Sequence, residues 1–133
     1  IGMGCDGIGT FLINSKYGLP KKYKLLPGVL QDAGYSTHMI GKWNLGHYAE
    51  GYLPHNRGFS TFLGYNGDQE TYYSHHAFGI MPVYNSTFCD FLYGDCNGMK
   101  VGNCYEGNYS TDIYTGRAIE LLREHQNGSD PLF

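Results

Sequence analysis

At 133 residues, with 41% hydrophobic side chains, the chain is long enough to build one domain around one core. Its formal net charge of -3, with no basic cluster longer than Lys21-Lys22-x-Lys24, offers a phosphate backbone little attraction and argues against nucleic acid as a partner. No apolar run approaches the roughly 20 residues that a membrane span needs, and 20 glycines with 13 tyrosines describe a loop-rich segment rather than a helical bundle.

Residues 1 to 23 are Gly-rich and aperiodic. Gly2, Gly4, Gly7 and Gly9 superficially suggest a phosphate-binding loop, but their order is not G-x-G-x-x-G between a strand and a helix, so a plain loop is expected. From Lys24 the pattern changes. Leu25, Leu26, Val29, Leu30 and Ala33 recur at helical spacing, Pro27 is acceptable within the first turn, and Gly34 stands where a left-handed C-cap belongs. This predicts a short helix with one apolar face.

Thr37 to Ile40 reads as a strand of β-branched and apolar residues ending at Gly41. A helix feeding a strand is half of an α/β unit, and open α/β sheets take their ligands beyond the carboxyl ends of their strands. Lys42 sits at such an end. Flanking Gly41 permits close backbone approach and Trp43 supplies a dry wall, which together would hold an ammonium group near an anion in reduced dielectric.

Residues 46 to 108 carry little periodicity and much Gly, Asn, Tyr and Pro, which predicts long loops with one short strand or hairpin around Phe78 to Phe91. Within this stretch Asp68, Glu70, His75 and His76 lie among Tyr72 and Tyr73. They read as a polar loop bordering a substrate mouth rather than as a metal or acid–base site, since no spacing fixes their geometry. Arg57 is read as a loop anchor, with Gly58 as a turn and Phe59 as a core residue.

The last element is a helix in which Ser110 or Thr111 caps and Asp112 favours the first turn. Ile113, Ala118, Leu121 and Leu122 line one face, while Arg123 and His125 complement the C-terminal dipole. Asn127 to Pro131 stops it, and Leu132-Phe133 begins a second helix-to-strand passage. A chain that starts on Ile1 and stops where a buried strand should begin reads as cut at both ends from a longer domain.

Three N-glycosylation sequons, at Asn85, Asn108 and Asn127, stand in polar, turn-like contexts and point to the secretory route. Cys89, Cys96 and Cys104, clustered among Gly and Asn, suit a disulfide-braced loop in an oxidising compartment, with Cys5 making the count even. A zinc site is the rival reading, weakened by the lack of a C-x-x-C pair and of a His at ligand spacing.

The pattern AGY-x-T-x-x-x-GKW-x-LG over Ala33 to Gly46, followed by LP-x-x-RGF-x-x-F-x-GY over Leu53 to Tyr65, resembles the N-terminal catalytic domain of the sulfatases, in particular the arylsulfatase B branch with its I and J relatives. The resemblance is strongest over 24–75 and weaker over 85–133. It implies an α/β fold of the alkaline phosphatase type with long loops, of which 1–133 would be a part. It also implies a lysosomal or secreted glycoprotein that hydrolyses sulfate esters of glycans or aryl alcohols.

In that family the lysine matching Lys42 contacts the sulfate group, and the middle motif is GKWHLG. Here Asn44 stands in the place of the histidine thought to deprotonate the formylglycine hydroxyl. An amide can hold geometry but does not titrate near neutral pH, so proton transfer would be lost unless His38 or His47 substituted. The resemblance further implies a calcium ion and a formylglycine made from a C-x-P/A-S-R cysteine. Cys5-Asp6-Gly7-Ile8-Gly9 does not match that motif, no other cysteine does, and the family's calcium carboxylates fall outside this sequence, so no metal ligand is assigned. Gly18 and Gly51 fall near positions where the arylsulfatase B relatives have a cysteine pair. The competing class is an inactive, secreted pseudo-sulfatase that binds sulfated glycans or a partner subunit.

Overall fold

The computed structural model describes residues 15–67, 69–76, 90–95, 97–101, 105–126 and 128–133, leaving aside the side chains of Met99 and Val101. Cys5, Cys89, Cys96, Cys104, Asn85, Asn127, Asp68, the glycine-rich start and nearly all of the expected strand at 78–91 lie outside the described residues.

Helix α1 spans Leu26–Asp32, with Pro27 in its first turn and Gly34 in the left-handed region at φ 87. Its position matches the sequence pattern, but its apolar face does not close on the core. Leu26 and Val29 are exposed, and the buried residue is Pro27. The cause is a backbone contact: a Cβ on Gly58 would stand 2.2 Å from the amide nitrogen of Gly28, so the helix docks through its Pro27-Gly28 edge rather than through a leucine stripe.

Strand β1, His38–Lys42, lies parallel to β2, Thr61–Tyr65, with Lys42 in register with Tyr65. β3, Leu92–Asp95, runs antiparallel to β2, and β4, Gly98–Val101, antiparallel to β3, giving a mixed sheet of order β1-β2-β3-β4. Beyond the other edge of β1, Ser36 and Leu132 form a parallel bridge, and the amide of His38 donates to Phe133 over 2.9 Å. The segment expected to begin a strand after the last helix therefore does so beside β1. The sheet is small and mixed, and the α/β class is the one the sequence predicts.

β2 and the β3–β4 hairpin fall within the stretch read as loop. β2 is buried at Phe62, Leu63 and Gly64 in succession, the pattern of a strand covered on both faces, and it lacks the alternation that betrays a half-buried one. Gly64 is obligatory, since a Cβ there would stand 1.9 Å from the carbonyl oxygen of Gly41 on β1. Between β1 and β2 the chain makes two short 3₁₀ turns, Glu50–Tyr52 and Pro54–Arg57.

Arg57 anchors this connection. Its guanidinium is buried and donates to the carbonyls of Leu19 and Tyr23 over 2.9 and 3.2 Å. Phe59 packs edge-on to Trp43 and stacks on Phe133. Gly18 packs against the ring of Tyr52, next to Gly51, so residues 17–19 and 46–52 are held together without a covalent brace.

Helix α2, Ser110–His125, packs on β1 and β2 through Ile113, Tyr114, Arg117, Ala118 and Leu121, and Leu122 is exposed. The expected hydroxyl cap is absent. Tyr109 is the N-cap without a side-chain bond, because the Ser110 hydroxyl instead donates to the carbonyl of Tyr72 over 2.9 Å. The core holds Leu19, Trp43, Phe62, Leu63, Phe91 and Leu121, each such side chain contributing about 1.5–3 kcal/mol.

Candidate functional site

The carboxyl ends of the parallel strands β1 and β2 finish side by side, and each runs into a tight turn. After β1 the amide of Trp43 donates to the carbonyl of Tyr65 over 2.9 Å and that of Asn44 to Asn66 over 3.1 Å, so the sheet's hydrogen bonding continues past both strands. Lys42, exposed, is the last residue of β1 and is presented at this end. Trp43 turns inward. Its indole N–H donates to the carbonyls of Gly46 and Tyr52, each at 2.9 Å, which makes the ring a fixed wall.

Asn44 sits in the left-handed region at φ 48, a conformation that asparagine tolerates because its side chain bonds locally. Its Oδ1 is buried without a hydrogen-bond partner among the described residues. Gly46, at φ 109, lets the turn close over Gly18, whose Cα a Cβ on Gly46 would approach to 2.5 Å. Lys42 and Asn44 thus fall on one short turn with a defined path.

Beneath the turn after β2 lies Asp90, only 2% exposed. Its carboxylate accepts from the amide of Asn66 at 3.1 Å and from that of Gly67 at 2.7 Å. Burial pushes its pKa up, and the two amide bonds together with the nearby charge of His47 work against that rise. Asn66 is itself buried, with its Oδ1 lacking a hydrogen-bond partner among the described residues.

A second polar group adjoins this one. Glu70 accepts from the hydroxyl of Tyr114 over 2.8 Å and faces Nδ1 of His75 at 3.7 Å, while Nε2 of His75 meets the carbonyl of Tyr105 at 2.9 Å. The Glu70 side chain is 3% exposed and that of His75 is fully buried, so these two lie inside the fold and not on a polar loop bordering a substrate mouth. They pair inside the fold because α2 lays Tyr114 over them and Phe91 covers the imidazole at 4.5 Å. Burial, with Glu70 beside it, raises the Tyr114 phenol well above its usual range.

His38 does not reach Lys42's end of the strand. It is the first residue of β1, about 13 Å from the last at strand rise, and its two ring nitrogens meet the hydroxyls of Ser36 and Thr61 at 2.9 and 2.7 Å. It ties β1 to β2 and cannot replace a proton carrier at Asn44. His47, two residues past the Trp43-Asn44-Leu45 turn, lies on the Asp90 side.

A separate cleft of about 330 Å³, lined by Lys21, Lys22, Lys24, Asp32 and Arg57 among others, shares no residue with the β1 turn. Its lysines are engaged: Lys24 pairs with Asp32, and Lys21 and Lys22 lie over the rings of Tyr52 and Tyr23.

Among the described residues no group of three or more His, Cys, Asp or Glu is arranged to hold a metal ion. The described residues therefore do not fit the calcium that the sequence resemblance implies, and no chemistry is derived through it. Asn66, Asp90 and Tyr114 escape sequence reasoning. The usable signal was Asp90 alone in the apolar run Phe88-Cys89-Asp90-Phe91-Leu92, where a lone acid betrays a buried carboxylate.

Comparison with known proteins places this geometry in a family. The family model described as Sulfatase matches residues 8–133. Arylsulfatase J of Mus musculus is 38% identical over 116 residues, covering 86% of this chain and 18% of that protein. Arylsulfatase G of Homo sapiens is 36% identical over 113 residues, covering 84% and 19%. N-acetylgalactosamine-6-sulfatase of Canis lupus familiaris is 29% identical over 118 residues, covering 87% and 22%. The chain thus spans about a fifth of the length of these relatives. Among solved structures, Ps i-CgsB in complex with k-i-k-neocarrahexaose shares the fold with a TM-score of 0.67 at 22% identity, covering 90% of this chain and 27% of that one. The PsFucS1 sulfatase from Pseudoalteromonas sp. does so with a TM-score of 0.56 at 23% identity, covering 80% and 24%.

Proposed function

Because the chain belongs to the sulfatase family, we propose that it forms part of the N-terminal catalytic domain of an arylsulfatase-like sulfuric ester hydrolase, acting on sulfate esters of glycans or aryl alcohols. The observation that carries this reading is the turn Lys42-Trp43-Asn44 at the carboxyl end of β1, bonded to the turn after β2.

Lys42 binds the sulfate group. Its side chain is exposed at the carboxyl end of β1, next in sequence to the fixed Trp43, and its charge attracts an anion there. Asn44 positions: its amide donates and accepts hydrogen bonds toward the reacting oxygen but carries no proton near neutral pH. The chain therefore supplies binding and orientation and lacks a base at the position where the family has one. Calcium and formylglycine, when present in a sulfatase, supply charge neutralisation and the nucleophile, and residues outside this sequence would have to hold them. The sequons at Asn85, Asn108 and Asn127 support a lysosomal or secreted glycoprotein.

The test is release of sulfate from a chromogenic aryl sulfate and from sulfated saccharides by the full-length protein that carries this segment, with Lys42→Ala beside it. The parent releases sulfate, and Lys42→Ala lowers kcat/KM about a hundredfold at unchanged melting temperature. Equal rates for the two proteins would remove Lys42 from the site. The second reading, a pseudo-sulfatase that binds sulfated glycans without turnover, is favoured by Asn44 at the position of the family's histidine. It predicts heparin retention with no sulfate release from any member of the panel.

A further inference from the structure

Three tyrosine rings meet on the surface at the start of α2. Tyr72 and Tyr73 are 60% and 61% exposed, and Tyr109 36%. The rings of Tyr72 and Tyr109 lie 5.6 Å apart edge to face, and those of Tyr73 and Tyr109 5.4 Å apart at 31°. Exposed aromatics are ordinarily scattered, and a contiguous group marks a surface that something covers.

The group is rigidly mounted. The carbonyl of Tyr72 accepts from both the amide and the hydroxyl of Ser110 at 2.9 Å, and that of Tyr73 accepts from the amide of Gly107 at 2.7 Å. Thr71 and His76 close the turn with a 3.0 Å bond, and the buried His75 and Ser110 support it from below. Rings held on such a frame lose little entropy when a flat partner covers them.

Asn108 supplies the covering partner. It is exposed, it immediately precedes Tyr109, and Asn108-Tyr109-Ser110 is an acceptor sequon. We propose that an N-linked glycan on Asn108 folds back onto Tyr72, Tyr73 and Tyr109. The C–H face of its first N-acetylglucosamine rings lies against the π-faces, and the phenolic hydroxyls bond the sugar's hydroxyl and acetamide groups at the rim. A tethered sugar meets the rings at high effective concentration, which a weak stacking contact needs. The inference does not rest on the sulfate chemistry.

The attachment balances without redox. Nδ2 of Asn108 bonds to the anomeric carbon of a lipid-diphosphate-linked oligosaccharide, the bond from that carbon to the diphosphate oxygen breaks, and the amide gives up one proton. Its timing follows from burial. Ser110 is 1% exposed and its hydroxyl is engaged with Tyr72, so the sequon's hydroxyl is hidden once residues 71–76 dock against α2. Transfer therefore precedes that docking.

The experiment uses the full-length protein that carries this segment, secreted from a eukaryotic host with Asn85→Gln and Asn127→Gln, leaving Asn108 as the single acceptor within this segment. Glycopeptide mass spectrometry finds Asn108 occupied, and the glycoprotein melts about 3 °C above its enzymatically deglycosylated form. Tyr72→Ser with Tyr73→Ser abolishes that difference while occupancy persists. Ring-current shifts of the sugar protons in the unsubstituted protein give the same answer without relying on a variant. A bare Asn108, a melting difference indifferent to the two tyrosines, or unshifted sugar protons would each overturn the proposal. So would free saccharide or a second protein occupying the rings in place of the attached glycan.

Discussion

The amide of Asn44 donates to the carbonyl of Asn66 across 3.1 Å, and through that bond the turn after β1 is fastened to the turn after β2. Asp90 grips the second turn by its Asn66 and Gly67 amides. The setting of Lys42 and Asn44 therefore depends on a carboxylate far along the chain that touches neither.

Replacing that carboxylate tests the dependence. Asp90→Ala leaves two buried amide donors without acceptors, and the expected loss is about 2–4 kcal/mol in urea unfolding. An unchanged midpoint would show that the turn holds itself.

The pH dependence has a definite sign at two groups. Burial raises Asp90 above its ordinary 3.8, so the folded state binds more protons than the unfolded one above that value, and this residue's contribution to stability falls as pH rises from 3.8 toward the raised pKa. Burial, with the charge of Arg117, lowers His38 below 6.5, so its contribution is complete above 6.5 and is lost as pH falls toward the lowered value. Urea midpoints against pH should show each slope, and Asp90→Asn and His38→Gln should remove them separately. A slope that survives its own substitution belongs to another group.

Gly64→Ala forces a methyl to 1.9 Å from the carbonyl oxygen of Gly41 and 2.8 Å from its amide nitrogen, both in backbone that cannot step aside. The expected cost is about 3 kcal/mol or more, read as lost β1–β2 pairing in amide exchange. A folded variant with native protection would mean that the strands tolerate separation.

Arg57→Lys replaces a fork that spans the carbonyls of Leu19 and Tyr23 with a single ammonium. We expect a loss of about 1–3 kcal/mol and faster exchange of the Leu19 amide, which bonds the Leu45 carbonyl beside the site. Equal stability would demote Arg57 to a surface contact.

What was legible in the sequence follows physical lines. α1 and α2 carry helical spacing, β1 was signalled by Thr37 and Ile40 although the strand runs through Gly41 to Lys42 instead of ending there, and Leu132-Phe133 continues an apolar pattern beside β1. β2 stayed hidden because three consecutive buried residues, one of them the obligatory Gly64, leave no alternation to detect. The β3–β4 hairpin had a signal in Asn97-Gly98, a turn dipeptide with Gly98 at φ 131, and it lies after the stretch where a hairpin was expected. Lys42 and Asn44 were singled out by motif resemblance, and the structure sets them on one turn; Asp90 had a local signal as a lone acid in an apolar run, whereas Asn66 and Tyr114 meet their partners through contacts between distant segments that no local pattern encodes. Glu70 and His75 were noticed but misplaced, since burial is a property of what packs over them.

The most direct measurement is sulfate release by the full-length protein that carries this segment, comparing the parent with Asn44→His. Histidine shares asparagine's tolerance of the left-handed region, so the turn at φ 48 can accept it. If this turn belongs to a sulfate ester site, restoring a proton carrier raises kcat about a hundredfold to ten-thousandfold over the parent. A rate unchanged or lowered by the substitution, in a protein of parental stability, would contradict the assignment of the β1 turn to sulfate ester chemistry.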